Sequence, residues 1–200
     1  MSANSHPTAL YTRLHRFGAS KGALVGAFLW GLAEATVFFV VPDTYLGFVA
    51  LFHWTQGLLA IPIAIFGALI GGALMYAFGM THAEVAHQVL VHIPLISPEM
   101  VKTVVEQMQN AGLPSLVSAP FQGIPYKIYA VEAGRLHLHW MAFLVISVVA
   151  RLERILPTTL CFAIAGRLLK KFVQWRTRIV AVAYWLFWLG VYAFYIAQVR

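Results

Sequence analysis

Charge is what this chain has least of. Only 10% of its 200 residues are charged, fourteen Lys or Arg against seven Asp or Glu, while 60% are hydrophobic and the mean hydropathy is +0.77. An ordinary soluble domain carries about 25% charged residues, and the complement here is too small to clothe a soluble surface. One membrane domain is the economical reading. The single cysteine, Cys161, lies in an apolar run, which excludes a disulfide framework and reports nothing on redox compartment. The net charge of +7 does not point to nucleic acid, because the Lys and Arg residues flank apolar runs, where they act as orientation signals. The GxSxG elbow, the HExxH helix, the P-loop and the dinucleotide fingerprint are all missing, so no enzyme and no cofactor is expected. His82, His87 and His92 recur every five residues, a rotation of about 140° each on a helix, and share no face. His137 and His139 have no acid or cysteine beside them, so no metal is expected either.

Long apolar runs are what the chain has most of, and a helix needs about 20 residues to span a bilayer. Residues 179–197 are uncharged, with Tyr184, Trp185, Trp188, Tyr192 and Tyr195 as rings of the interfacial kind. Residues 57–80 are also uncharged and carry Gly67, Gly71, Gly72 and Gly79, which allow a neighbouring helix to come close. Residues 139–165 are long enough but hold Arg151, Glu153 and Arg154 near the middle.

Two further apolar segments do not read as simple spans. Residues 22–42 contain Glu34, end in Pro42-Asp43, and are followed by TYLGFVALF, too short to cross back. Residues 113–133 hold Pro114, Pro120, Gly123 and Pro125, then Lys127 and Glu132. A continuous helix is excluded there, since each proline removes a donor and clashes with the preceding turn. Broken backbone at membrane depth survives where protein or a wet cavity satisfies it, so both segments are expected to be re-entrant hairpins.

The flanking regions fix the expected orientation. Residues 1–21 form a basic tail without the apolar core of a cleavable signal peptide; Leu10, Leu14 and Phe17 fall at helical spacing around Arg13, His15 and Arg16, giving either a surface amphipathic helix or a frayed tail. The polar loop 81–112 reads as two short helices, with a Thr81/Glu84 capping box and a Ser97-Pro98 start to a helix ending near Gly112. It has one lysine, against five basic residues in RLLKKFVQWRTR and three in the tail. The positive-inside rule therefore puts the N-terminus and the basic loop of segment 171–200 in the cytoplasm, and the polar loop and C-terminus outside.

Glu34, Asp43, Glu132 and Glu153 lie in or beside apolar segments, matched by Lys127, Arg135, Arg151 and Arg154. A charge at the bilayer centre costs about 2.5 to 3.5 kcal/mol, so such groups face a bundle interior or a water path and are functional candidates; the bland alternative is structural ion pairing. The two hairpins also resemble each other. VVPDTYLGF and GIPYKIYAV each place proline at the tip, an ionisable group just after, and tyrosine two residues on, as an inverted repeat would. Asp43 and Lys127 are expected to meet at the tips.

With these residues in view, residues 22–170 resemble the DedA family, also called the VTT or SNARE-associated Golgi domain family. The resemblance rests on Glu34 upstream of Pro42-Asp43, a Gly-rich helix ending Tyr76 to Gly79, the stretch AGLPSLVSAPFQGIPYKIYAVEAG, and Arg151 and Arg154 in VVARLERIL. It implies an all-α, polytopic inner-membrane protein with two facing re-entrant hairpins. It further implies a transporter or scramblase for membrane lipids, undecaprenyl phosphate or a phospholipid, with proton coupling. The expected site comprises Glu34, Asp43, Lys127, Arg135, Arg151 and Arg154, with Pro42, Gly123 and Pro125 at the hairpin tips. Two departures bear on cargo: Ala119-Pro120 stands near one of the family's hairpin arginines and Lys127 near the other, and the first tip lacks the family's glycine. A non-transporting assembly protein is the alternative, and a homo-oligomer is left open.

Overall fold

The helices of this chain stop where proline, β-branched runs or caps stop them. The computed structural model describes residues 7–199, without the side chains of residues 120, 121 and 199; residues 1–6 of the expected basic tail and residue 200 lie outside the described residues. No strand occurs among them. The helices are α1 (Ala9–Gly18), α2 (Lys21–Thr36), α3 (Asp43–Phe52), α4 (Trp54–Thr81), α5 (Ala83–His92) and α6 (Pro98–Ala111). After them come α7 (Ser115–Ser118), a 3-10 turn (Ala119–Gln122), α8 (Tyr126–Arg135), α9 (Trp140–Leu168), α10 (Lys170–Trp175) and α11 (Thr177–Val199).

Two helices, α4 and α11, are long and apolar enough to cross a membrane by length and composition. The third expected span, α9, reaches 29 residues but keeps its charges in the middle, so it does not join them. The run 22–42 is not one helix. Thr36 turns its hydroxyl back onto the Leu32 and Ala33 carbonyls, both at 3.0 Å, and the β-branched Val37, Val40 and Val41 lead into Pro42, which disfavours helical backbone at the residue before it. The chain leaves the helix from Val37 and resumes at Asp43. In the second segment the left-handed Gly123 (φ 68°) and Pro125 separate the 3-10 turn from α8.

At the centre, α4 packs against α2, α3, α8 and α9. Short helices cross over: α3 lies on α9, and α8 lies on α4. Both crossings depend on a glycine near the end of the long helix. A Cβ on Gly79 would sit 2.0 Å from the Val131 carbonyl oxygen of α8, and one on Gly166 would sit 2.2 Å from the Leu51 carbonyl oxygen of α3. Backbone therefore packs directly on helix at two related places.

The polar stretch forms two helices. Ser97 Oγ accepts the Met100 N–H, and Gly112 ends α6 at φ 63°. The expected Thr81 capping box is not formed, because α4 continues through Thr81 and its hydroxyl donates to the Ala77 carbonyl; α5 begins after His82 with no side-chain cap. Ala86, Leu90, Ile93, Ile96, Val104 and Met108 are buried in one cluster with Tyr129 and Val131 of α8, so the stretch is packed onto the second broken segment. At the other end α1 is a capped helix rather than a frayed tail, with Thr8 Oγ1 accepting the Tyr11 N–H and Tyr11 and Leu14 packed against Phe52 and Val173.

Candidate functional site

The two breaks face the same place, and the buried charges gather there. Glu34 lies in the last turn of α2, Asp43 at the first position of α3, Lys127 in the first turn of α8, and Arg151 and Arg154 three residues apart on one face of α9. Glu34, Asp43, Lys127 and Arg151 are all at most 4% exposed. Arg151 pairs with Glu34 through Nη1 and Oε2, and its guanidinium sits 4.1 Å from the Tyr126 ring centroid. Arg154 reaches both acids, Nε to Asp43 Oδ2 at 3.3 Å and Nη2 to Glu34 Oε1 at 3.9 Å. The expected partner of Asp43 was Lys127. Its partner is Arg154, because the α3–α9 packing brings the α9 face against the start of α3.

Lys127 is the cation left over. Its Nζ donates to the Phe38 carbonyl at 2.7 Å, and among the described residues no carboxylate lies within ion-pair distance of it. Three bases against two acids leave one formal positive charge in the cluster. Buried polar atoms there also lack hydrogen-bond partners, among them Arg151 Nε and Nη2 and Arg154 Nη2. Such donors favour an anionic acceptor or water.

Arg135 does not join them. It lies eight residues past Lys127 on α8, about 12 Å along the axis, and forms a bidentate pair with the fully buried Glu132. His87 of α5 approaches the same carboxylate at 3.3 Å. Glu153 is exposed and forms no ion pair among the described residues. The i,i+3 spacing of Glu132 and Arg135 was the available signal for their mutual pairing.

Between the breaks lies a cavity of about 270 Å³, mostly apolar, whose wall includes Glu34, Lys127, Arg154, Gly123, Pro125 and Tyr192. Pro94 and Leu95, in the bend between α5 and α6, close part of it. Pro42, the expected first tip, begins α3 beside Asp43, and its neighbour Val41 lines the cavity.

Broken backbone away from water needs side-chain partners, and they come from Trp30, which sequence reasoning did not single out, and from Tyr192 and Tyr195, which it read as interfacial rings. Trp30 Nε1 donates to the Val40 carbonyl at 3.0 Å, the Val41 N–H donates to Tyr192 Oη at 2.8 Å, and Tyr195 Oη donates to the Gly123 carbonyl at 2.7 Å. Tyr184 Oη adds a bond to the Thr44 carbonyl at 2.7 Å. One face of α11 thus serves both breaks. The i,i+3 spacing of Tyr192 and Tyr195 was a signal for a shared face, but nothing in sequence named the backbone groups they meet.

Compared with protein-family models, with curated proteins and with solved structures, the chain matches none.

Proposed function

We propose that the chain is a polytopic membrane protein of the DedA type, with segments 22–52 and 113–135 as re-entrant hairpins, that moves a phosphate-bearing lipid across the inner membrane. The observation that carries this reading is the buried cluster of Glu34, Asp43, Lys127, Arg151 and Arg154, one positive charge in excess, beside an apolar cavity between two helix breaks. An anionic headgroup is attracted to Lys127, which has no carboxylate partner among the described residues, and competes with Glu34 and Asp43 for the Arg154 guanidinium, while the apolar wall accommodates the start of an acyl or prenyl chain. Glu34 and Asp43 hold the arginines in place and compete with the headgroup for them, which gives a route for release and for protons. No covalent step is needed.

The inverted-repeat arrangement is supported by the reciprocal packing of α3 on α9 and α8 on α4, each over a glycine near the end of the long helix. The basic tail and basic loop support a cytoplasmic N-terminus through the positive-inside rule.

A second reading is favoured by the pairing itself. Glu34 with Arg151 and Asp43 with Arg154 are what a static lock between α2, α3 and α9 requires, and a non-transporting assembly protein would need nothing more. Flux decides between them. Proteoliposomes holding the full chain should move a fluorescent phosphatidylglycerol or a polyprenyl phosphate between leaflets faster than empty vesicles. Equal rates with correctly inserted protein would favour the lock.

A further inference from the structure

At the opposite ends of α3 and α9 the chain makes a second cavity, and this one is polar. It measures about 570 Å³, and its wall includes Tyr11 and His15 of α1, His53 and Trp54 at the α3–α4 elbow, Arg167 in the last turn of α9 and Lys170 at the start of α10. Counting 1.5 Å per residue along α3 and α9, it lies about 15 to 20 Å from Asp43 and Arg154. It belongs to neither the ion cluster nor the first cavity.

No acid lines this cavity among the described residues. The bases face one another: the His15 and His53 rings are 4.6 Å apart between centroids, and the Arg167 guanidinium lies 4.9 Å from the Trp54 ring centroid. His53 uses Nδ1 to accept the Gln56 N–H at 3.4 Å as the cap of α4, which leaves its Nε2–H as a donor. The 28-residue α4 begins at Trp54 with the positive end of its dipole at the same place, where it offsets the negative ends of α3 and α9, so the attraction for an anion comes from the side-chain bases. The wall is fixed from the other side as well. Thr8 holds α1 to α10 and to the start of α11, N–H to the Gln174 carbonyl at 3.1 Å and Oγ1 to Thr177 Oγ1 at 2.6 Å, which keeps His15 beside His53. Burial, His53 and Lys170 together push the His15 imidazole below its ordinary value, as expected of bases gathered without a counter-charge.

We propose that this cavity binds a phosphate group, carried by a lipid headgroup or free in solution, with Arg167 and Lys170 as the charged donors and His15 and His53 as the imidazole donors. Several separate donors around one volume match an anion with several acceptor oxygens. The volume falls in the usual range for small-ligand sites, roughly 300 to 1,000 Å³. A basic pocket between helix ends, beside the basic stretch 167–178, is also where a lipid phosphate lies when helices cross a bilayer.

The test uses the full chain purified in dodecyl maltoside, with phosphatidylglycerol and inorganic phosphate as probes and diacylglycerol as the phosphate-free control. Binding is read by native mass spectrometry for the lipids and by calorimetry for phosphate. Arg167 and Lys170 are both exposed, so replacing them leaves the core intact. The expected result is binding of a phosphate-bearing probe that weakens about tenfold or more in Arg167→Gln/Lys170→Gln and stays within about threefold in Arg167→Lys. Each single Gln variant reports the same loss in part, should the double fail to fold. Lys171→Gln, an exposed base outside the cavity wall, leaves the binding unchanged, and the Arg167 and Lys170 variants are compared in a Lys127→Met background as well, so that lipid held at the first cavity is not counted. Binding of the lipid alone assigns a headgroup, and competition by inorganic phosphate assigns the free anion. The proposal is overturned if neither probe binds, or if Arg167→Gln/Lys170→Gln binds as tightly as the wild type.

Discussion

Arg151 and Glu34 are 117 residues apart in the chain and form an ion pair whose side chains are only 3% and 5% exposed. Removing one partner leaves a buried charge without compensation, at a cost of about 3 to 5 kcal/mol, whereas removing both is close to neutral. Glu34→Gln and Arg151→Met should each lower the thermal stability of the detergent-purified protein, and the double variant should regain most of the loss. Additive losses in the double variant would mean that the two side chains are stabilised independently.

The hydroxyls of α11 stabilise the two helix breaks. Tyr192→Phe leaves the Val41 N–H without its acceptor, so a loss of about 1 to 3 kcal/mol is expected, with faster hydrogen exchange at Val41. Tyr195→Phe should cost less, because the Gly123 carbonyl bond is exposed. Equal exchange at Val41 in wild type and Tyr192→Phe would remove α11 from this role.

Direct backbone packing predicts a contrast among glycines. Gly79→Ala and Gly166→Ala each force a Cβ against a carbonyl oxygen, at 2.0 and 2.2 Å, and should cost about 1 to 3 kcal/mol by overpacking. Gly190→Ala in α11 meets nothing within 4 Å and should be neutral or stabilising through helix propensity. Melting temperatures of the three variants check the order.

His15 gives a pH signature. Its imidazole is held below the ordinary value by burial and by His53 and Lys170, so the unfolded chain binds the proton more readily than the folded one. Its contribution to stability is therefore fully present above about pH 6.5 and is lost as pH falls through that value toward the folded one. Melting temperature should drop less between pH 7.5 and pH 5.5 in His15→Gln than in the wild type. An identical pH slope in the two proteins would contradict this.

Much of the architecture was legible because apolar runs and their interruptions are local. The uncharged runs became α4 and α11, the Ser97-Pro98 start and Gly112 stop bounded α6, and the proline-rich stretch broke before α8. Five of the six expected site residues converge for a related reason: an ionisable group in an apolar segment is held by others of its kind. What sequence could not supply was rotation and approach. Asp43 pairs with Arg154 rather than Lys127 because α3 packs on α9, a tertiary choice that the tip motifs do not encode. Arg135 was grouped with the cluster by charge alone, although its position near the end of α8 carries it away. The interfacial reading of Tyr192 and Tyr195 did not extend to the backbone atoms that their hydroxyls meet, because composition reports only amphipathic rings.

Lys127 tests the transport reading most directly, because its removal breaks neither ion pair. The measurement is leaflet-to-leaflet movement of a fluorescent anionic phospholipid in proteoliposomes of wild type and Lys127→Met, with insertion and melting temperature recorded for both. Wild type should move the lipid, and Lys127→Met should insert, with a stability loss no larger than the about 1 to 3 kcal/mol of leaving the Phe38 carbonyl without its donor, yet fall to the rate of empty vesicles. A stable, inserted Lys127→Met protein that keeps the wild-type rate, or a wild type that moves no lipid, would contradict the account.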